Sequence, residues 1–319
     1  LRMIGDAATR YREDPVRIIR AVRFAAKLNG LGFTLDSKTA APLIKSQSLL
    51  NDVPQSRLFD EMLKLLQTGH ALASIAQLKT LGMSTGIYPL LDVVVERAEA
   101  PFVNAALKDT DRRVGEHKPV APSFLLACVL WADVRDGWAR RMAQGQHGHP
   151  ALQDAIEDVF NARIGDVSGR GRLAGDMREI WLMQPRFDKR VGSTPFGMVD
   201  QPRFRAAFDF MRLRADAGEI EEVLADWWQE FSLADDNLRQ DMIDQVRAEQ
   251  QARPKAPRVH RAPAPVRDKP ARDATAPADN GPAGAAPAPS DAGGEAPRKR
   301  RRRRRPGGGE GSQAGGSEG

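Results

Sequence analysis

Asp14-Pro15-Val16-Arg17-Ile18-Ile19-Arg20-Ala21-Val22-Arg23-Phe24-Ala25-Ala26-Lys27-Leu28-Asn29-Gly30 carries the pattern on which the fold assignment rests. Val16, Ile18, Ile19, Val22, Ala25, Ala26 and Leu28 recur at the three- and four-residue spacing of one broad helix face. Asp14 is a competent N-cap. Pro15 suits the first helical position, where its missing N–H costs nothing, and Asn29-Gly30 is a helix stop. The same periodicity continues outward. A second helix is predicted to start near Asp36. A third runs from about Pro54 to Thr68 with Leu58, Met62, Leu65 and Leu66 inward, and a fourth runs over Ala71–Leu81 to a stop at Gly82. Further helical stretches lie near 101–113, 122–135, 151–163, 172–183, 201–216 and 219–231. No segment alternates convincingly as a strand, and no repeat of fixed period is present. The expected fold class is all-α.

The charge is unevenly spread. The whole chain of 319 residues carries +6, but residues 1–250 hold 33 Lys+Arg against 35 Asp+Glu, whereas residues 251–319 hold 15 against 7. The basicity is a property of the C-terminal segment. That segment has no Leu, Ile, Met, Phe, Trp or Tyr and holds 11 of the 22 prolines, so it cannot bury enough apolar surface to offset its ordering entropy and is expected to be disordered. The chain therefore divides at 1–69, 70–250 and 251–319. Within the first part, residues 1–27 are locally +4, with seven basic and three acidic residues.

Composition excludes several classes. No apolar run approaches the roughly 18 residues that a membrane span needs, and the start has no secretory h-region. Cys128 is the only cysteine and cannot form an internal disulfide, which fits a reducing cytoplasm. Leu1 in place of Met, and the immediate entry into an arginine-rich motif, suggest a fragment whose N-terminal part is missing. His147-Gly148-His149 has no third ligand nearby and reads as a loop rather than a metal site. Gly169-Arg170-Gly171 with Gly175 lacks a preceding strand and a Lys-Ser/Thr, and reads as a helix-linking loop rather than a phosphate cradle.

The densest chemistry is Arg10-Tyr11-Arg12-Glu13-Asp14-Pro15-Val16-Arg17-Ile18-Ile19-Arg20. On a helix beginning at Asp14, Arg17, Arg20 and Phe24 follow on one side. One reading is an N-cap with surface ion pairs, worth tenths of a kcal/mol. The sharper reading follows from donor and acceptor geometry. A carboxylate only accepts hydrogen bonds and a guanidinium only donates. Side by side they complement an amino donor next to a ring-nitrogen acceptor, the Watson–Crick edge of adenine or cytosine. Guanine and uracil present the reverse pattern and would leave desolvated groups unpaired. The remaining arginines could meet phosphates.

Arg2-Met3-Ile4-Gly5-Asp6, Thr9-Arg10-Tyr11-Arg12-Glu13-Asp14-Pro15-Val16-Arg17 and Arg20-Ala21-Val22-Arg23-Phe24-Ala25-Ala26-Lys27-Leu28 together resemble the neck of the bacterial class II nucleotidyltransferases, the poly(A) polymerases and CCA-adding tRNA enzymes. The family's E-D-x-x-R element matches Glu13, Asp14 and Arg17. The resemblance implies that Asp14 and Arg17 read the base of the incoming nucleotide and that Glu13 orients Arg17, with Arg12 and Arg20 left for phosphates or primer. A second neck element, R-x-x-x-E, matches Arg57 and Glu61. From the residues alone it reads as one i,i+4 salt bridge steadying a helix beside the pocket. The likeness runs through residues 1–68 and more loosely to about 230, where Gln201–Arg214 and Trp227-Trp228 look like the poly(A) polymerase body. In these terms 1–69 is the neck, 70–250 a helical RNA-binding body, and 251–319 a basic tail.

Family catalysis uses a β-containing head with a Gly-Ser element and a D-x-D pair that holds two Mg²⁺. The resemblance thus implies ATP as substrate, RNA 3′ ends as acceptor, and Mg²⁺ held by a head outside this chain. It implies no catalytic or metal-binding residue within the chain. Asp109-Thr110-Asp111 spells D-x-D, but it falls within or just after a body helix and lacks a Gly-Ser lead-in and flanking strands.

Two further cationic features point to RNA. Arg205 and Arg212 share one face of the 201–216 helix, with Arg203 and Arg214 nearby. That face reads either as solvated or as a phosphate contact. In the tail, Arg298, Lys299, Arg300, Arg301, Arg302, Arg303, Arg304 and Arg305 form eight consecutive cations. Such a run suits a polyanion held without sequence readout; an anionic membrane surface is the alternative, and RNA-decay proteins are a further partner for the tail. Three functional readings stand: template-independent addition of AMP to RNA, to which the Arg tail tilts the balance; CCA addition, whose CTP and ATP the Asp/Arg pair fits equally; and a non-catalytic helical RNA-binding module.

Overall fold

A computed structural model describes residues 1–163 and 171–252. The tail arginines and residues 164–170 lie outside the described residues. Fourteen α-helices, joined by short 3₁₀ turns, and no strand occur among the described residues. The first five are α1 (Ala7–Glu13), α2 (Arg17–Leu28), α3 (Ser37–Ser46), α4 (Gln55–Leu66) and α5 (Ala71–Thr80). Then come α6 (Pro89–Arg97), α7 (Pro101–Gly115), α8 (Pro122–Ala143), α9 (Gly148–Arg163) and α10 (Gly171–Met183). The chain continues through α11 (Thr194–Val199), α12 (Phe204–Asp216), α13 (Glu222–Leu233) and α14 (Asp236–Ala252).

The N-terminal part differs in one respect from the expected layout. Asp14 does not cap α2. It ends α1, a helix that Asp6 caps by accepting from the Thr9 N–H at 2.8 Å. The first residue before α2 is Val16, with no side-chain cap. Pro15 therefore lies in the tight turn between two helices, and the Asp14 carboxylate is not committed to a backbone N–H. The stop of α2 also moves: a 3₁₀ turn carries the chain through Asn29–Leu31, and Gly32 at φ +81° takes the left-handed turn. The predicted apolar face of α2 is buried as Ile18, Ile19, Val22, Ala25 and Ala26 against α4 and α5. Tyr11 ties α1 to α3 by donating its hydroxyl to the Thr39 carbonyl at 3.0 Å, and burial pushes its phenol up to about 12.

The centre of the molecule is α8. Every residue from Phe124 to Trp131 is buried, so this helix is apolar all round and sits inside a ring formed by α6, α7, α9, α10 and α12. Cys128 lies there, and burial pushes its thiol well up. The same apolar core runs without a break across residues 69–70, joining Leu65 and Leu66 to Ala71 and Ile75. A second core packs Phe187, Phe204, Phe208, Met211, Trp228, Phe231 and Ile243. Phe204, Phe208 and Met211 thus form the expected inward stripe of α12. No helix among the described residues is long and apolar enough to cross a membrane.

Candidate functional site

Freed from capping, Asp14 becomes the meeting point of α1, α2 and α4. Its Oδ1 accepts from Arg57 Nη2 at 3.0 Å. Its Oδ2 has only longer approaches, 4.0 Å from Arg17 Nε and 4.0 Å from Arg20 Nη1. Glu13, at the end of α1, accepts from Arg10 at 2.8 Å and Arg17 at 3.1 Å. The hydrogen bond from Arg17, followed by that from Arg10, holds the Glu13 carboxyl below its ordinary range. Arg17 Nη1 also donates to the Arg10 carbonyl at 3.1 Å, so one corner of the guanidinium is fixed from behind. Glu13, Asp14, Arg17 and Arg20 are therefore brought together. Arg12 is not: its guanidinium turns back along α1 to Thr9 Oγ1 at 3.0 Å.

The expected i,i+4 bridge from Arg57 to Glu61 is absent. Arg57 reaches Asp14, while Glu61 reaches Arg20 with bonds of 2.9 and 3.2 Å and Lys64 at 3.0 Å. The cause is packing: α4 lies against α2, so Arg57 reaches across to the α1–α2 turn and Glu61 reaches across to Arg20 while keeping Lys64 on its own helix. Glu61 has a side chain only 4% exposed, with Arg23 Nη2 a further 3.9 Å away. Burial opposes its charge, but hydrogen bonds from Arg20 and Lys64 outweigh that and hold the carboxyl below its ordinary value. Arg17 and Arg20 line a cavity of about 460 Å³ whose remaining wall is largely apolar, including Met3, Ala21, Phe24, Leu28 and Leu35. Asp14 stands beside this cavity's arginines but not on its wall.

The body arginines are arranged otherwise. Arg203 pairs with Asp176 at 2.6 Å and approaches Glu179 at 3.8 Å. Arg205 pairs with Asp209 at 3.0 Å, and Arg212 reaches Asp226, Asp216 and Glu222. Arg214 is no part of a solvent face. It is packed over Trp131, bonds Glu219 at 3.1 Å and Gln184 at 3.2 Å, and burial draws its pKa down. The D-x-D of α7 has structural partners: Asp109 holds Arg112 and Arg113, and Asp111 accepts from the Ala71 and Leu72 N–H groups at the start of α5. His147 and Gly148 mark the start of α9, where the Gly148 carbonyl accepts from Trp138.

The family described as "Probable RNA and SrmB- binding site of polymerase A" matches residues 32–94, and that described as "Polymerase A arginine-rich C-terminus" matches residues 144–262. Poly(A) polymerase I of Salmonella typhi is 36% identical over 258 residues, which is 77% of this chain and 54% of that protein. Poly(A) polymerase I of Escherichia coli O157:H7 is 34% identical over 284 residues, 86% of this chain and 59% of that protein. This chain belongs to the bacterial poly(A) polymerase family. Likeness to the CCA-adding enzyme of Bacillus subtilis is shorter, 32% identity over 112 residues and 34% of this chain.

The chain spans a little over half the length of the poly(A) polymerases it matches. Two arrangements in this geometry do not show in the spacing of the sequence. One is the buried Glu61, which gathers Arg20, Lys64 and Arg23. The other is the apolar cavity beside Arg17, assembled from residues 1–3, α2, Leu35 and Thr39. Neither has a local signature, because each joins segments distant in sequence.

Proposed function

We propose that this chain supplies base selection and RNA holding for template-independent addition of AMP from ATP to RNA 3′ ends. The observation that carries the reading is the approach of Asp14 Oδ2 to the Arg17 guanidinium at 4.0 Å, with Glu13 holding Arg17 from behind. Asp14 accepts from the 6-amino group of adenine while Arg17 donates to its ring nitrogen. A guanine or uracil base would set donor against donor and acceptor against acceptor, a cost of about 1–3 kcal/mol for each buried group left unpaired. Arg20, held by Glu61, stands one helical turn on, where a phosphate of the nucleotide or of the RNA end would follow the base. Among the three body arginines Arg205 is the most exposed and the one most open to RNA. The tail from Arg298 to Arg305 would hold RNA by charge alone, with decay proteins as a second partner.

Related enzymes of this chemistry use divalent metal such as Mg²⁺ bound by carboxylates. No group of three or more His, Cys, Asp or Glu among the described residues is placed to hold an ion.

Incubating the complete protein with each NTP in turn, and with either a generic RNA primer or a tRNA lacking its terminal CCA, tests the reading. Long A-only products on the generic primer are expected. Addition confined to the tRNA and halting after C, C and A reassigns the activity to CCA addition. No extension of either primer leaves a non-catalytic RNA-binding module. Removing residues 251–319 is expected to lower the steepness of the salt dependence of RNA affinity by several units of log–log slope, at roughly 0.7 per phosphate neutralised on a single strand. Fluorescence titrations across a salt series read it.

A further inference from the structure

Between α10 and α11 the chain carries Arg186, Lys189 and Arg190, and none of the three forms an ion pair with a described residue. Arg186 only donates to Gln201 Oε1 at 3.1 Å. Lys189 is exposed and Arg190 half-buried. Arg203, Arg205 and Arg212, by contrast, all face carboxylates.

Arg190 has an aromatic neighbour instead. Its guanidinium carbon lies over the Trp227 ring, 5.7 Å from the centroid. Trp227 also meets Trp228 edge-on at 5.0 Å and stacks on Phe231 at 4.9 Å with the planes 16° apart. Arg239 also lies near Phe231, 5.5 Å from the ring centroid, its donors spent on the carbonyls of Phe231 and Ser232 and on the Asp236 carboxylate. Phe231 is fully buried. The four side chains follow one another in the order Arg190, Trp227, Phe231, Arg239, a column whose outer end is the half-buried Arg190, which has no ion pair among the described residues.

We propose that the outer end of this column is a binding site for one unstacked base of single-stranded RNA, distinct from the base-reading cluster on α1 and α2. A guanidinium plane stacks on any nucleobase, and an indole beneath Arg190 orients it in advance, so less side-chain freedom is lost on binding. Lys189 and Arg186 then meet the phosphates on either side of the stacked base. Such a site tolerates sequence and rejects duplex RNA, whose bases are already stacked and whose deep groove keeps them out of reach. It would hold the strand on the body while its 3′ end is being extended. The inference rests on the reading of this chain as acting on RNA.

The test uses the full chain, a fluorescein-labelled A15 oligonucleotide, and a blunt RNA hairpin, with anisotropy measured at about 0.3 M salt to screen the tail's contribution. Arg190→Ala is expected to weaken A15 binding roughly five- to tenfold, the lower range for loss of one base stack. Hairpin affinity should stay within about twofold. Arg190→Lys keeps the charge and loses the plane, so it should retain most of the A15 defect. The salt slope is expected to stay close to that of the unsubstituted chain in both variants, because Lys189 and Arg186, not Arg190, meet the phosphates. Unchanged A15 affinity in Arg190→Ala overturns the proposal, as it would if the patch served a protein partner. Full recovery in Arg190→Lys overturns the stack and leaves a simple charge contact. If the unsubstituted chain fails to bind A15, the RNA reading itself falls, an outcome separate from the first two.

Discussion

Arginine serves opposite ends in the neck and in the body. Around Glu13, Asp14 and Glu61, three carboxylates are shared among Arg10, Arg17, Arg20, Arg23, Arg57 and Lys64. Around α12 the carboxylates are the more numerous, with Arg113, Arg203, Arg205 and Arg212 set among Asp176, Glu179, Asp209, Asp216, Glu222 and Asp226. Where cations outnumber carboxylates, donors remain for a ligand rich in acceptors, such as a nucleotide. Where carboxylates outnumber cations, the guanidinium is spent on fastening one helix to another. The abundance of arginine in a segment says little about anion binding until its acidic neighbours in space have been counted.

The contrast can be broken most sharply at Asp14 and Arg17. In a catalytically competent protein, Asp14→Ala or Arg17→Ala is expected to lower the preference for ATP over GTP in kcat/KM by about 10- to 100-fold, the equivalent of one or two unpaired buried groups. Helix content by circular dichroism should be unaltered. Retained ATP preference in both variants would sink the base-reading role.

Next in size is Glu61. Glu61→Ala leaves Arg20 and Lys64 without their shared acceptor beside a buried position, and is expected to cost about 1–3 kcal/mol of stability in urea unfolding. Glu61→Gln, which keeps shape and one acceptor, should cost less. The same residue carries a pH signature. Despite burial, hydrogen bonds from Arg20 and Lys64 hold its folded pKa below the ordinary glutamate value, so its contribution is complete above that ordinary value and is lost as the pH falls through the folded pKa. The stability gap between the unsubstituted protein and Glu61→Gln should therefore be widest near neutrality and narrow towards pH 4. A gap that widened on acidification would contradict the assignment.

The smallest effect is expected in the body. Arg205→Ala removes an exposed i,i+4 pair with Asp209 and should change stability by no more than about 0.5 kcal/mol. Its effect on RNA affinity should also be smaller than that of Arg190→Ala. A larger loss of affinity than in Arg190→Ala would show that charge compensation does not silence a body arginine, and would blur the distinction between the two regions.

Most helices were legible because their apolar residues recur every three or four positions, as in α2 and α12. The exceptions are α1, α6, α11 and α14, and the first two have plain local causes. α1 has only Ala7 and Tyr11 on its buried side, too few for a period to show. In α6 the run Val93-Val94-Val95 is buried on several sides and shows no clear stripe. The candidate site was legible as to residue type but not as to pairing. Arg57 and Glu61 sit four apart on one helix, and nothing in that spacing reveals that α2 passes close enough to draw Arg57 to Asp14 and Arg20 to Glu61.

Sequence alone determined the all-α class, the amphipathic face of α2, the concentration of cations in residues 1–27 and the separate character of the tail. These are properties of period and composition, and both are written locally. Tertiary structure decided whether each charge was spent or left over. A helix cap rule would commit Asp14 to a backbone terminus, yet the turn at Pro15 sends its carboxylate across to α4 and leaves one oxygen open beside Arg17. That outcome depends on which helices lie side by side, because an ion pair is set by distances of 3–4 Å between residues that can stand more than forty positions apart in the chain.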